Sequence, residues 1–252
     1  MIDFVIPCHS KDFPSLKLVI NGIKDNISVA NKIFVITEED PNINGVVHIP
    51  EKIYYPYVTK EKIESIWKNI NPNLAYRSKW IYQQFLKLLS AKLIPELTDS
   101  YVVVDSDTVF VRDVSFDINK FYYSRAQEYH LPYLNPIKTL LGIENTIGFS
   151  CICHHMIFNK EKLNEMISFI ESKFESKSFV DCVLDILDYD EASCFSEWDL
   201  YSNYMLLNYS EMCVQRQLVW EDISFIPYKS ILEEFKEYYD FVSCHAYKRG
   251  IE

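Results

Sequence analysis

Apolar and polar positions alternate along this chain in blocks whose periods predict an α/β protein. Ile2 to Ile6 is a short apolar run stopped by Pro7, the form of a core strand. A polar turn follows at Cys8 to Asp12, and Pro14 then opens a helix in which Leu16, Val19, Ile20 and Ile23 recur at helical spacing. Apolar runs at 32–37 and 46–49 predict two more strands, so that strands and helices interleave as in βαβ units.

The strongest helical pattern runs from Arg77 to Leu93, with Ile81, Phe85, Leu88 and Leu89 on one apolar face and Pro95 marking the end. Trp80, Gln84 and Lys87 form a second stripe on it, offering an aromatic plate, an amide and a cation. Further on, Tyr122 to Arg125 predicts a strand, and His130 to Pro136 an irregular, ring-rich loop of the kind that covers substrates. Phe149 to Phe158 has strand character. Alternation there puts His154 and His155 on opposite faces, so only one can look into a site. Helices are predicted over 160–174 and 179–187, and Ser196-Glu197-Trp198-Asp199 spells a capping box that starts another. The chain closes with a short apolar strand leading to His245, Lys248 and Arg249.

The stretch from Tyr101 to Val111 carries the chemistry. Its β-branched run breaks into two carboxylates, Asp105 and Asp107, which an extended backbone turns to the same side while Ser106 faces away. Acids at the end of a buried strand lie where open α/β sheets bind ligands. Two such acids suit a hard cation, Mg²⁺ or Mn²⁺, whose remaining positions go to water and phosphate oxygens, so the implied substrate carries a diphosphate. The competing reading is a surface Asx turn.

Composition narrows the picture. A chain of 252 residues with 48% hydrophobic positions supports one α/β domain spanning 1–252 and a substantial core. The net charge of −11 disfavours nucleic acid, whose phosphates need clustered Lys and Arg. Seven irregularly spaced cysteines form no disulfide framework, and Cys151, Cys153 and His155 lack the second ligand pair of a closed zinc site. With five glycines there is no G-x-G-x-x-G and no P-loop. No signal peptide or membrane-length apolar run is seen, which makes a soluble cytoplasmic protein the expectation.

Four separated pieces together resemble a GT-A glycosyltransferase: the strand and turn through Pro7 to Asp12, the helix with Gln84 and Lys87, Asp105-Ser106-Asp107 as a D-x-D motif, and His245 followed by Lys248. The chain is most similar to a group of bacterial and viral GT-A-like proteins with W-x-x-Q-Q, D-x-D and S-E-W/Y elements, here Trp80 to Gln84, Asp105 to Asp107 and Ser196 to Trp198. The resemblance implies a Rossmann-like α/β/α sandwich with a mostly parallel sheet and a nucleotide-diphosphate sugar donor. It implies that Asp105, Asp107 and His245 hold Mn²⁺ or Mg²⁺, with Lys248 near the diphosphate. Pro7, His9, Asp12 and Ser106 would edge the donor, which Gln84 and Lys87 would approach. Glu197 would be the base, alongside the catalytic role of Asp107, and His155 and Trp198 would line the pocket of a glycan, lipid-linked or protein acceptor. The chain departs from the best-defined families in lacking the glycines that usually follow the terminal His motif, so the resemblance assigns no role to Arg249. The rival readings are a nucleotidyltransferase acting on a sugar phosphate and a non-catalytic nucleotide-binding module.

Overall fold

Strand β1 (Ile2–Pro7) is buried at every position, as a strand in the middle of a sheet covered on both faces must be. The computed structural model describes residues 1–126, 129–175 and 177–250. In it β1 is followed by α1 (Phe13–Asn26), β2 (Ala30–Thr37) and β3 (Val47–Pro50), then α2 (Lys60–Ile70), α3 (Ser78–Leu88) and α4 (Ser90–Leu93). Next come β4 (Ser100–Val104), β5 (Thr108–Phe110), β6 (Phe121–Tyr123), α5 (Leu134–Leu141) and β7 (His155–Asn159). The remainder is α6 (Lys160–Lys173), α7 (Phe179–Leu184), α8 (Glu197–Asn208), β8 (Cys213–Gln215), β9 (Trp220–Asp222), α9 (Lys229–Phe235) and β10 (Phe241–Ser243).

The main sheet has the order β3-β2-β1-β4-β7, parallel except for β7, which runs antiparallel to β4. This is a mixed α/β architecture consistent with a generic Rossmann-like fold. The buried acid of β1, Asp3, is fully used: Oδ1 accepts from Asn31 Nδ2 and the Lys32 amide, and Oδ2 from the Thr98 amide, so a single carboxylate ties β1 to the start of β2 and the approach to β4. From β1 the chain moves outward through β2 and β3 and then returns to place β4 on the other side. That reversal is the switch point beside which open sheets bind ligands.

A second sheet, β5-β10-β9, carries the acidic segment onward, and β6 pairs with β8. Asp105 to Asp107 is therefore the turn between two sheets, closed by the Thr108 amide donating to the Asp105 carbonyl at 3.1 Å, rather than a continuous extended strand. It is a turn, but Ser106 is buried and both acid side chains are largely covered.

Three other expectations are corrected by the structure. The predicted helix from Arg77 to Leu93 is broken at Leu89, because the Ser90 hydroxyl donates to the Lys87 carbonyl and competes with the helical ladder. The ring-rich segment is not irregular: 131–133 forms a 3-10 turn and 134–141 is α5, with Pro136 in the first turn where its missing N–H costs nothing. In the predicted strand from Phe149 to Phe158, ladder pairing begins only at His155, because His154 takes a left-handed φ of 60°. Helix α2, capped by the Thr59 side chain, goes beyond the sequence prediction.

Candidate metal centre

Register brings the site together. In the second sheet Ser243 pairs with Thr108 on one side and with Asp222 on the other, so Asp107, Asp222 and His245 emerge at the same end. The Cys244 amide donates to the Asp107 carbonyl at 2.9 Å and locks the approach to His245. From the main sheet, the Asp105 amide donates to the His154 carbonyl at 3.0 Å. The left-handed turn at His154 swings its ring out of the strand direction and toward the second sheet. A non-glycine residue held at positive φ marks a place where surrounding structure imposes the conformation.

The result is a chain of carboxylates and imidazoles. His245 Nδ1 lies 3.0 Å from Asp107 Oδ2, and His245 Nε2 lies 3.4 Å from Asp222 Oδ1. His154 Nε2 approaches the same Asp222 Oδ1 at 3.5 Å, and its Nδ1 stands 3.8 Å from Asp105 Oδ2. Asp222 Oδ2 is taken by Lys248 Nζ at 3.2 Å. His154, Asp222 and His245 each offer one ligand atom within 4.8 Å of the others, a cluster that could hold a metal ion. Asp107 Oδ1 and Asp222 Oδ1 are buried atoms without a hydrogen-bond donor, which is what a cation-binding carboxylate looks like before its cation is considered.

A second, drier layer lies behind Asp105. Lys87 Nζ sits 2.6 Å from Asp105 Oδ1 and 2.5 Å from Glu197 Oε1, with the Trp198 ring 4.1 Å beneath it. Gln84 clamps the start of α8 from both sides: its Oε1 accepts from the Glu197 amide at 2.9 Å and its Nε2 donates to the Phe195 carbonyl at 3.1 Å. Ser196 caps the same helix by accepting from the Asp199 amide, as the capping box predicts. All four side chains of this layer, Gln84, Lys87, Glu197 and Trp198, are buried.

Charge follows the geometry. Burial opposes ionisation of Asp105, but Lys87 and His154 beside it outweigh that and hold its carboxyl well below the usual range. Asp222 is depressed in the same way by the two imidazoles. Burial likewise disfavours a charged His245, yet the carboxylates of Asp107 and Asp222 raise it to about 10. Glu197 moves upward because burial exceeds what Lys87 returns to it.

The other predicted residues divide clearly. Pro7 ends β1 next to the switch point, and His9 is exposed, its Nδ1 accepting from the Lys11 amide. Asp12 is buried and paired with Arg249 at 3.0 Å, and the Ser106 carbonyl lies 3.1 Å from the Ser15 hydroxyl. His155 is not in the site. Its ring packs against Phe110, Phe116 and Phe241, and burial, with Arg216 nearby, pushes it down to about 3. The sequence points to His155 where the left-handed turn presents His154. Nothing in the sequence marks Asp222, which stands in an ordinary Trp220-Glu221-Asp222 stretch without any motif.

No helix among the described residues is long and apolar enough to cross a membrane. Comparison with curated proteins finds no match. A family model matches residues 2–233, a span that takes in Asp105, Asp107, His154 and Asp222 and stops short of His245. The chain therefore belongs to the family of unknown function DUF6492.

Proposed function

We propose that this protein is a metal-dependent glycosyltransferase of GT-A type, moving a sugar from a nucleotide-diphosphate sugar to an acceptor hydroxyl. The observation that carries this reading is the position of Asp105-Ser106-Asp107: it leaves the parallel sheet at β4, next to the switch point at β1, and meets His245 from the far end of the chain. Carboxylates and imidazoles with undonated oxygens fit a divalent cation, Mn²⁺ or Mg²⁺, and phosphate oxygens fit its open positions. When bound, such a cation neutralises charge on a departing nucleoside diphosphate.

The chain's own residues would do the rest. Lys248 and Arg249, paired with Asp222 and Asp12, are the cations that would meet the diphosphate of a donor. Pro7 to Asp12 and Ser106, beside the switch point on the β1 side, would take the nucleoside end of a donor. Glu197, which the sequence suggests as a base, is buried and committed to Lys87, so we assign it to positioning: Gln84 fixes Glu197, Glu197 fixes Lys87, and Lys87 fixes Asp105. Trp198, beneath Lys87, supports that same chain from below.

The test is a thermal-shift panel of nucleoside diphosphates and nucleotide sugars with and without Mn²⁺, followed by assay of nucleoside diphosphate release from the sugars that bind. A ligand at a hundred times its Kd raises stability by about 2.7 kcal/mol, which such a panel detects. Metal-dependent stabilisation by a nucleotide sugar, with release of the diphosphate, is expected. Release of pyrophosphate from a nucleoside triphosphate would instead identify a nucleotidyltransferase, and binding without turnover a non-catalytic module.

A further inference from the structure

Two ring nitrogens from different sheets converge on one carboxylate oxygen. His154 Nε2 and His245 Nε2 stand 3.5 and 3.4 Å from Asp222 Oδ1, too far for good hydrogen bonds, and that oxygen has no donor. Ligand atoms about 2.1 Å from a common ion stand about 3.4 Å apart at the tetrahedral angle and about 3.0 Å apart at a right angle. The separations to Asp222 match the wider of these. The groups on the outer side of each ligand are also set: Lys248 holds Asp222 Oδ2, Asp107 Oδ2 is 3.0 Å from His245 Nδ1, and Asp105 Oδ2 faces His154 Nδ1 at 3.8 Å. A carboxylate behind the far nitrogen of a histidine is the usual device for orienting a metal-binding imidazole.

We infer that His154, Asp222 and His245 are the direct ligands of a resident transition-metal ion, and that Asp105 and Asp107 stand behind the two imidazoles as orienting groups. This refines the cation site of the proposed transferase, yet it concerns only which residues hold the ion and which ion they select. Two imidazoles and one carboxylate favour Mn²⁺, Co²⁺ or Zn²⁺ over Mg²⁺ and Ca²⁺, which prefer all-oxygen shells. Three protein ligands also retain an ion without help from a nucleotide, whereas a carboxylate pair alone depends on substrate phosphate to complete its shell.

The experiment uses the full chain, stripped with a chelator and titrated with Mn²⁺, Co²⁺, Zn²⁺ or Mg²⁺ in the absence of nucleotide. One transition ion per chain is expected, with Mg²⁺ needing at least about a hundredfold higher concentration to displace it. His154→Gln and Asp222→Asn, each checked for folding by circular dichroism, should lower Mn²⁺ affinity by about a hundredfold or more, and Asp107→Asn by about tenfold. Pulsed electron paramagnetic resonance on bound Mn²⁺ should count two imidazole nitrogens, falling to one in folded His154→Gln. Binding that requires a nucleoside diphosphate, equal affinity for Mg²⁺, or a single imidazole in the unmodified protein would overturn the assignment. Sugar transfer does not enter any of these readouts, so they stand or fall apart from the transferase reading.

Discussion

The rings of His154 and His245 meet with their centroids 4.6 Å apart and their planes at 60°, although one precedes a strand of the main sheet and the other follows a strand of the second. This contact is the seam between the two sheets on which the candidate site lies. Both rings turn Nε2 toward Asp222, while behind them His155 packs against Phe110 and Phe241 across the same two sheets.

The neighbouring histidines should separate cleanly under mutation. His155→Ala opens a cavity among Phe110, Phe116 and Phe241 and should cost about 3 kcal/mol in urea denaturation while leaving metal stoichiometry at one. His154→Gln should do the reverse, losing metal with a small change in stability. Equal effects of the two on metal binding would show that the turn at His154 does not select the ligand.

Lys87 is the counterion of two carboxylates. Lys87→Met leaves Asp105 and Glu197 without the cation between them and should destabilise the fold by about 3–5 kcal/mol. Adding Glu197→Gln to that variant removes one of the stranded charges and should restore part of the loss, so the double variant is more stable than Lys87→Met alone. Additive losses in equilibrium unfolding would mean that the three groups do not act as a unit.

Gly22 brings α1 against the second sheet. A Cβ there would lie 2.7 Å from the Phe110 carbonyl oxygen and 3.2 Å from a Val109 methyl, on the strand that follows Asp107. Gly22→Ala gains about 1 kcal/mol of helix propensity, but the overpacking against a backbone that cannot yield costs about 1–3 kcal/mol and should win. The expected outcome is a lower Tm and weaker metal binding, because β5 moves with Asp107. An unchanged or higher Tm would show that the helix shifts freely.

Asp107 discriminates activity from folding. Its side chain faces the cluster rather than the core, so Asp107→Ala should keep a native circular dichroism spectrum and lose turnover of a nucleotide sugar by at least about a hundredfold. A folded Asp107→Ala protein that still transfers sugar would end the catalytic role given to Asp107.

Metal removal gives the last check. An ion bound to the folded state alone stabilises by mass action, so excess chelator should lower Tm of the purified protein and Mn²⁺ should restore it, the shift growing with the logarithm of Mn²⁺ concentration. A Tm indifferent to both, in a protein shown to bind Mn²⁺, would mean that the unfolded chain binds the ion as well as the folded protein does.

What the sequence determined by itself is local. The apolar run of β1, the periodic faces of α1 and α3, the cap at Ser196 and the acids after β4 were all legible, because propensity, spacing and capping act over a few residues and leave their pattern in the chain. Tertiary structure alone decided what those residues face. Lys87, read as one side of an amphipathic helix, is buried because Glu197 and Asp105 arrive from elsewhere to neutralise it. His154 rather than His155 looks toward the site because the ladder with β4 begins only at His155 and the residue before it takes a left-handed turn. Asp222 became visible only when β10 paired with both β9 and β5. A lone carboxylate has no spacing to read, and convergence of distant residues is set by strand order and register, which follow from the whole core.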